Sequence, residues 1–200
     1  MAMTIANNIG SSFSLERMVS AVERVKERLL RAANALDLAG VAYAIIGGNA
    51  IAAWVTQVDE SAVRNTQDVD VLLRRGDLEK AKAALEPIGF IFRHVRGIDM
   101  FLDGPDAKAR DAVHIVFANE KVREHELLPS PDVTDSVRAD RFQVLTLEAL
   151  VQIKLTAFRD KDRVHLRDLI DVELIDESWT AKYPAELAAR LQMLLDDPNG

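Results

Sequence analysis

Tyr43-Ala44-Ile45-Ile46-Gly47-Gly48-Asn49-Ala50 and, after a polar excursion, Arg64-Asn65-Thr66-Gln67-Asp68-Val69-Asp70-Val71-Leu72-Leu73 are the stretches on which this chain turns. An apolar run enters two glycines, a short apolar helix starts on them and ends near Val55, and a second apolar run opens with carboxylates at i and i+2. Alternate side chains of a strand share a face, so Asp68 and Asp70 emerge together with Val69 opposite them. Carboxylates roughly 6–7 Å apart along a strand repel, and beside an apolar sheet they are poorly solvated, which calls for a cation. Mg²⁺ suits them, as a hard ion that takes carboxylate oxygens and keeps positions open for phosphate. Gly47 and Gly48 complete the pattern, because backbone without Cβ approaches an anion closely and the helix beginning near Asn49 points free N–H groups at it. The residues alone thus favour a metal-bound polyphosphate held between a glycine turn and an acid pair.

Strand, Gly-Gly, helix and then Thr66-x-Asp68-x-Asp70 at the head of the next strand resembles the DNA polymerase β-type nucleotidyltransferase superfamily. Lys154-Leu155-Thr156-Ala157, followed by Arg167-Asp168-Leu169-Ile170-Asp171, is similar to the later motifs of its small bacterial branch of AbiEii-like toxins. Together these motifs extend the resemblance over roughly two thirds of the chain. The resemblance implies an α/β fold of the α+β type, a mixed sheet flanked by helices with a C-terminal helical region. It implies Mg²⁺ on Asp68 and Asp70, nucleotide contacts from Gly47, Gly48, Asn49, Thr66 and Lys154, and Asp168 as a candidate base or orienting acid. The activity implied is transfer of a nucleoside monophosphate from an NTP to a small molecule or tRNA, with an antitoxin protein as a partner in the toxin case. The family's interval between glycines and acids is shorter than this one, so Thr56 to Val63 reads as an insertion, expected to form a loop at the mouth of the site.

In many relatives a third acid follows on another strand. The matching position here is His114, within Ala112-Val113-His114-Ile115-Val116-Phe117; Asp111 lies three residues away and so on the opposite face of a regular strand. His114 has two readings, a metal ligand or proton acceptor near neutral pH, or a hydrogen-bonded sheet histidine. If no third acid exists, another residue supplies the base, or the chain binds nucleotide or a protein without turnover. Lys154 also has two readings, since it falls inside the apolar stripe of its helix: its ammonium either snorkels to water or enters the cleft to meet triphosphate oxygens. Asp168 and Asp171 are helix neighbours, a solvated face when taken alone and a functional pair beside the other motifs. Arg64 is either a surface residue or a reach toward the triphosphate.

At 200 residues the chain has room for a nucleotidyltransferase core over 1–145 and a C-terminal helical region over 146–200, with the cleft between them. The absence of cysteine removes disulfides, thiolate zinc sites and thiol catalysis. With no apolar run long enough to cross a bilayer and no signal-like start, the expectation is a cytoplasmic protein without membrane contact. A net charge of -7 leans toward a small acceptor or a protein partner rather than long nucleic acid.

Around the central stretch, apolar spacing predicts a helix from Phe13 to Gly40 capped by Ser14, after loose residues 1–12. A helix capped at Gly76-Asp77 runs through Leu85, and strands follow over Phe90 to Val95, Asp99 to Leu102 and Ala112 to Phe117. Ala118 to Asp140 reads as a connector over the site and Arg141 to Leu145 as an edge strand. A helix capped by Thr146 reaches Phe158, and a last helix led by Pro184 carries Leu187, Leu191, Leu194 and Leu195.

Overall fold

The computed structural model describes residues 15–197, so the expectations for residues 1–12 and for a cap at Ser14 lie outside the described residues. Helix α1, Leu15–Leu38, ends before Gly40, whose φ of 60° reverses the chain. Strand β1, Tyr43–Ile46, is buried at every position, as a strand covered on both faces must be. Helix α2, Gly47–Val55, starts directly on the glycines, and strand β2, Val69–Leu73, carries Asp70 as its one half-exposed position. Helix α3, Leu78–Leu85, follows; Asp77 precedes it, but its side chain makes no capping hydrogen bond, contrary to the sequence expectation.

Strands β3, Ile91–Val95, and β4, Ile98–Leu102, form a hairpin, and β5 spans Ala112–Phe117. Two short strands, β6 (Ser136–Arg138) and β7 (Gln143–Leu145), precede helices α4 (Leu147–Ala157), α5 (Asp160–Asp171) and α6 (Ala185–Asp196). The seven strands make one mixed sheet in the order β3-β4-β5-β2-β1-β7-β6. β7 is therefore not an edge strand: it lies parallel to β1, and Ser136–Arg138, from the presumed connector, takes the edge. Three mostly exposed residues carry too little apolar pattern to announce a strand, and a short charged edge also resists pairing with another chain.

Register decides what the sheet presents. β1 and β2 run antiparallel with Ile46 opposite Asp70, and β2 and β5 run parallel with Asp70 opposite His114. A single cluster of buried side chains runs from Leu29 and Leu36 of α1, through Ile45, Leu72 and Val113 of the sheet, to Leu150, Leu166 and Leu191 of the last three helices. Trp54 ties α2 to β7 by donating from Nε1 to the Leu145 carbonyl at 3.0 Å. Thr146 caps α4, its side chain accepting from the Ala149 N–H, and Phe158 ends that helix in the left-handed region at φ 45°. The chain thus turns back at once into α5, which sets Lys154 of one helix against Asp162 of the next. Among the described residues no helix is long and apolar enough to cross a membrane.

Candidate functional site

Gly47 stands at φ 68°, a conformation that costs an L side chain dearly. A Cβ built on it would also collide with the Asp70 carboxylate, 2.9 Å from its Cγ. The pairing of Ile46 with Asp70 causes this closeness, because it brings the acid beneath the turn that follows β1. Gly48 is similarly required: a Cβ there would lie 2.9 Å from Thr66 Oγ1, so Thr66 packs down on the start of α2. Asn49 Nδ2 donates to the Asp68 carbonyl at 2.7 Å, and the buried Arg28 donates to the Gln67 carbonyl at 3.4 Å. The backbone entering β2 is thereby held from both α1 and α2, and Asp68 and Asp70 line one cleft of about 380 Å³.

His114 stands beside the acids, its Nδ1 3.7 Å from Asp70 Oδ1. Its Nε2 is 2.9 Å from the Ala109 carbonyl, which can only accept, so Nε2 carries a proton and Nδ1 is the nitrogen that faces Asp70. Hydrogen bonding to Asp70, against the cost of burial and with help from the charges of Asp70 and Asp68, raises the histidine pKa above its ordinary value. Asp111 does not join them; half-exposed, it lies 3.8 Å from Arg28.

The facing wall comes from α4, α5 and the connector. A cavity of about 130 Å³ opens beside the acids, lined by Gly47, Asp70, Lys154, Arg159 and Lys161, with Leu128 to Ser130 over it. Asp70, Arg159 and Lys161 also line the larger cleft, so the two spaces adjoin along that wall. Lys154 does not snorkel: its side chain is only 4% exposed and its Nζ donates to Asp162 Oδ1 at 2.9 Å. Asp162 is wholly buried, and its Oδ2 accepts from Arg159 Nε at 2.7 Å and from the Arg159 backbone N–H at 3.2 Å. Burial would raise the Asp162 pKa, but the charges of Lys154 and Arg159 outweigh it and hold the carboxyl below its ordinary value. Burial pushes Lys154 down, with Asp162 opposing.

The structure places other sequence candidates elsewhere. Asp168 is 8% exposed and bound to Arg64, Nε to Oδ1 at 2.7 Å; it does not line the cleft that holds Asp70. Its Oδ2 is buried without a hydrogen-bond partner. Arg64, Thr56 and Val63 wall a separate hollow of about 350 Å³ against α1, bordered also by Asn49 and Thr66, so the presumed insertion faces this hollow rather than the space around Asp70. His165, not singled out from the sequence, has a pKa lowered to about 4 by burial and then by the charge of Lys154. Asp162 and Arg159 were also missed as partners, since Arg159 at the N-cap is not a residue type that announces a helix start.

Among the described residues no three His, Asp or Glu side chains form a ready-made metal site. Asp70 beneath the glycine turn and Asp68 in the same cleft nevertheless fit an ion such as Mg²⁺, which completes its shell with phosphate oxygens and water.

No family model and no curated protein matches the chain. Solved structures do. An antigenic nucleotidyltransferase-like protein from Paracoccidioides brasiliensis is 15% identical over 88% of this chain and 90% of its own, with a TM-score of 0.54. The antibiotic-resistance factor ANT(2'')-Ia is 15% identical over 90% of this chain and 92% of its own, with a TM-score of 0.49. JHP933 from Helicobacter pylori is 17% identical over 89% of this chain and 75% of its own, with a TM-score of 0.46. At such identities the likeness is one of architecture, and on the first of these structures the chain has a nucleotidyltransferase-like α/β fold.

Proposed function

We propose that this protein transfers a nucleoside monophosphate from an NTP to an acceptor and releases pyrophosphate. The observation that carries this reading is the Asp70 carboxylate seated against Gly47, where a side chain would collide with it, and facing Lys154, Arg159 and Lys161 across one cavity. Opposed charges around a glycine-walled space suit a cation bound to a polyphosphate better than either alone. Asp68 and Asp70 would hold the Mg²⁺ this reading implies, and the ion would supply positive charge to the phosphates. Gly47, Gly48 and Asn49 present the start of α2 to the β and γ phosphates, while Lys154, Arg159 and Lys161 offset the charge that collects on departing pyrophosphate. An acceptor hydroxyl attacks the α-phosphorus, its proton passes to His114 Nδ1, and the bond from that phosphorus to the bridging oxygen breaks.

The net charge of -7 favours a small acceptor over long nucleic acid. A second reading, nucleotide binding without turnover, has its own observation: the third position beside Asp70 carries His114 in place of a carboxylate. Incubation with each labelled NTP, Mg²⁺ and a cell extract, followed by separation of small molecules, RNA and protein, tests both. Label in the small-molecule fraction supports the transferase, and label on RNA supports the tRNA-directed variant of the AbiEii-like branch. Bound NTP with no released pyrophosphate supports the second reading.

A further inference from the structure

One buried charge beside the cleft has no part in this chemistry, and it is the most completely enclosed acid of the helical wall. Asp162 is 0% exposed, and its two oxygens go to different cations: Oδ1 to Lys154, Oδ2 to Arg159. Those cations come from opposite sides of the α4–α5 turn, and both line the cavity that contains Gly47 and Asp70. We propose that Asp162 is a positioning residue for the triphosphate, fixing Lys154 and Arg159 as a pair at the cavity wall; this rests on the nucleotide reading above.

The geometry supports aim rather than simple neutralisation. The carboxylate is itself fixed, because its Oδ2 also accepts from the Arg159 backbone N–H at the first turn of α5. Lys154 has a flexible four-carbon stem and an ammonium that forms no preferred direction of its own, so a rigid acceptor behind it determines where the charge sits. Arg159 uses only its Nε on Asp162, remains 44% exposed and lines the cavity, so its guanidinium can also serve phosphate oxygens. Two cations on one anion leave a surplus of positive charge, so the cluster still attracts a polyphosphate after Asp162 is counted. A carboxylate serving only to pin α4 to α5 would give the same stability without any effect on nucleotide affinity, and that difference is measurable.

The test is NTP affinity and steady-state kinetics on the full chain for wild type, Asp162→Asn, Asp162→Glu, Lys154→Met and the double variant Lys154→Met/Asp162→Asn. Asp162→Asn is expected to weaken NTP binding and raise KM by about tenfold, the scale of one charge-assisted contact, with a smaller change in kcat. Asp162→Glu keeps the buried charge and displaces it by one methylene, and is expected to fall between the two; it carries the test if Asp162→Asn does not fold. In the Lys154→Met background, Asp162→Asn is expected to add under threefold, because the residue acts largely through the lysine. Wild-type KM in both folded Asp162 variants, despite lowered thermal stability, overturns the assignment and leaves a helix clamp. A wild-type protein that binds no NTP overturns the nucleotide reading, and this assignment with it.

Discussion

Asp70 and Asp162 belong to opposite walls of one cleft and meet opposite fates. Asp162 lies wholly out of water with an ammonium on one oxygen and a guanidinium on the other. Asp70 keeps 23% of its side chain exposed, and an imidazole stands 3.7 Å from it. Both sit on well-formed elements, so the difference is not one of order. Asp162 is paired internally and buried, whereas Asp70 lies half open beneath a glycine turn, where the proposed reading puts the cation. The sheet wall is short of positive charge, and the helical wall presents a surplus of it.

The strongest challenge to this contrast is Asp70→Ala. It is expected to lower nucleotide transfer by about a thousandfold while leaving the thermal midpoint unchanged or slightly raised, since a repelling charge is removed. Transfer at the wild-type rate would reject the sheet wall as the cation site. Asp162→Asn should show the reverse balance, with stability as the main loss: stranding the buried Lys154 is expected to cost about 3 kcal/mol in a urea titration. A stability equal to wild type would mean that the lysine finds water or another partner.

The helical wall also sets a pH response. The folded pKa of His165 is about 4 against an ordinary 6.5, so the unfolded chain binds the proton more readily between those values. The stabilisation is complete above about 6.5 and is lost as pH falls toward about 4. After allowance for partial exposure it amounts to about 2 kcal/mol. Comparing wild type with His165→Gln by denaturation at several pH values isolates it, and parallel profiles would contradict the burial argument. The smallest effect belongs to Gly47→Ala, where left-handed backbone alone is expected to cost about 1–2 kcal/mol. The clash with Asp70 should appear as weakened NTP binding in the same variant.

Much of the sheet wall could be read from the chain because its signals are local. The run Tyr43 to Ile46, the glycines that follow and the spacing of Asp68 and Asp70 each act within a few residues, through sterics and strand alternation. His114 was recognised as the residue at the third position, but its distance from Asp70 depends on the parallel pairing of β2 with β5, which no short window contains. The helical wall was harder to read. Arg159-Asp160-Lys161-Asp162 resembles a solvated charge run, and only the tight turn at Phe158 makes one of its acids the partner of Lys154. Asp168 is the sharper case: its motif suggested a place in the cleft, whereas its partner Arg64 is 104 residues away and lies along another hollow.

Residue order therefore sufficed for the strand–turn–helix–strand unit, its acid pair and its α/β class, because alternation and backbone sterics are properties of neighbours along the chain. Which acids are neutralised, which stay open and which cations face them was decided by the fold. Charge interactions in a poorly solvated interior depend on distance and burial, and both are set by register and by helix packing between residues far apart in the chain.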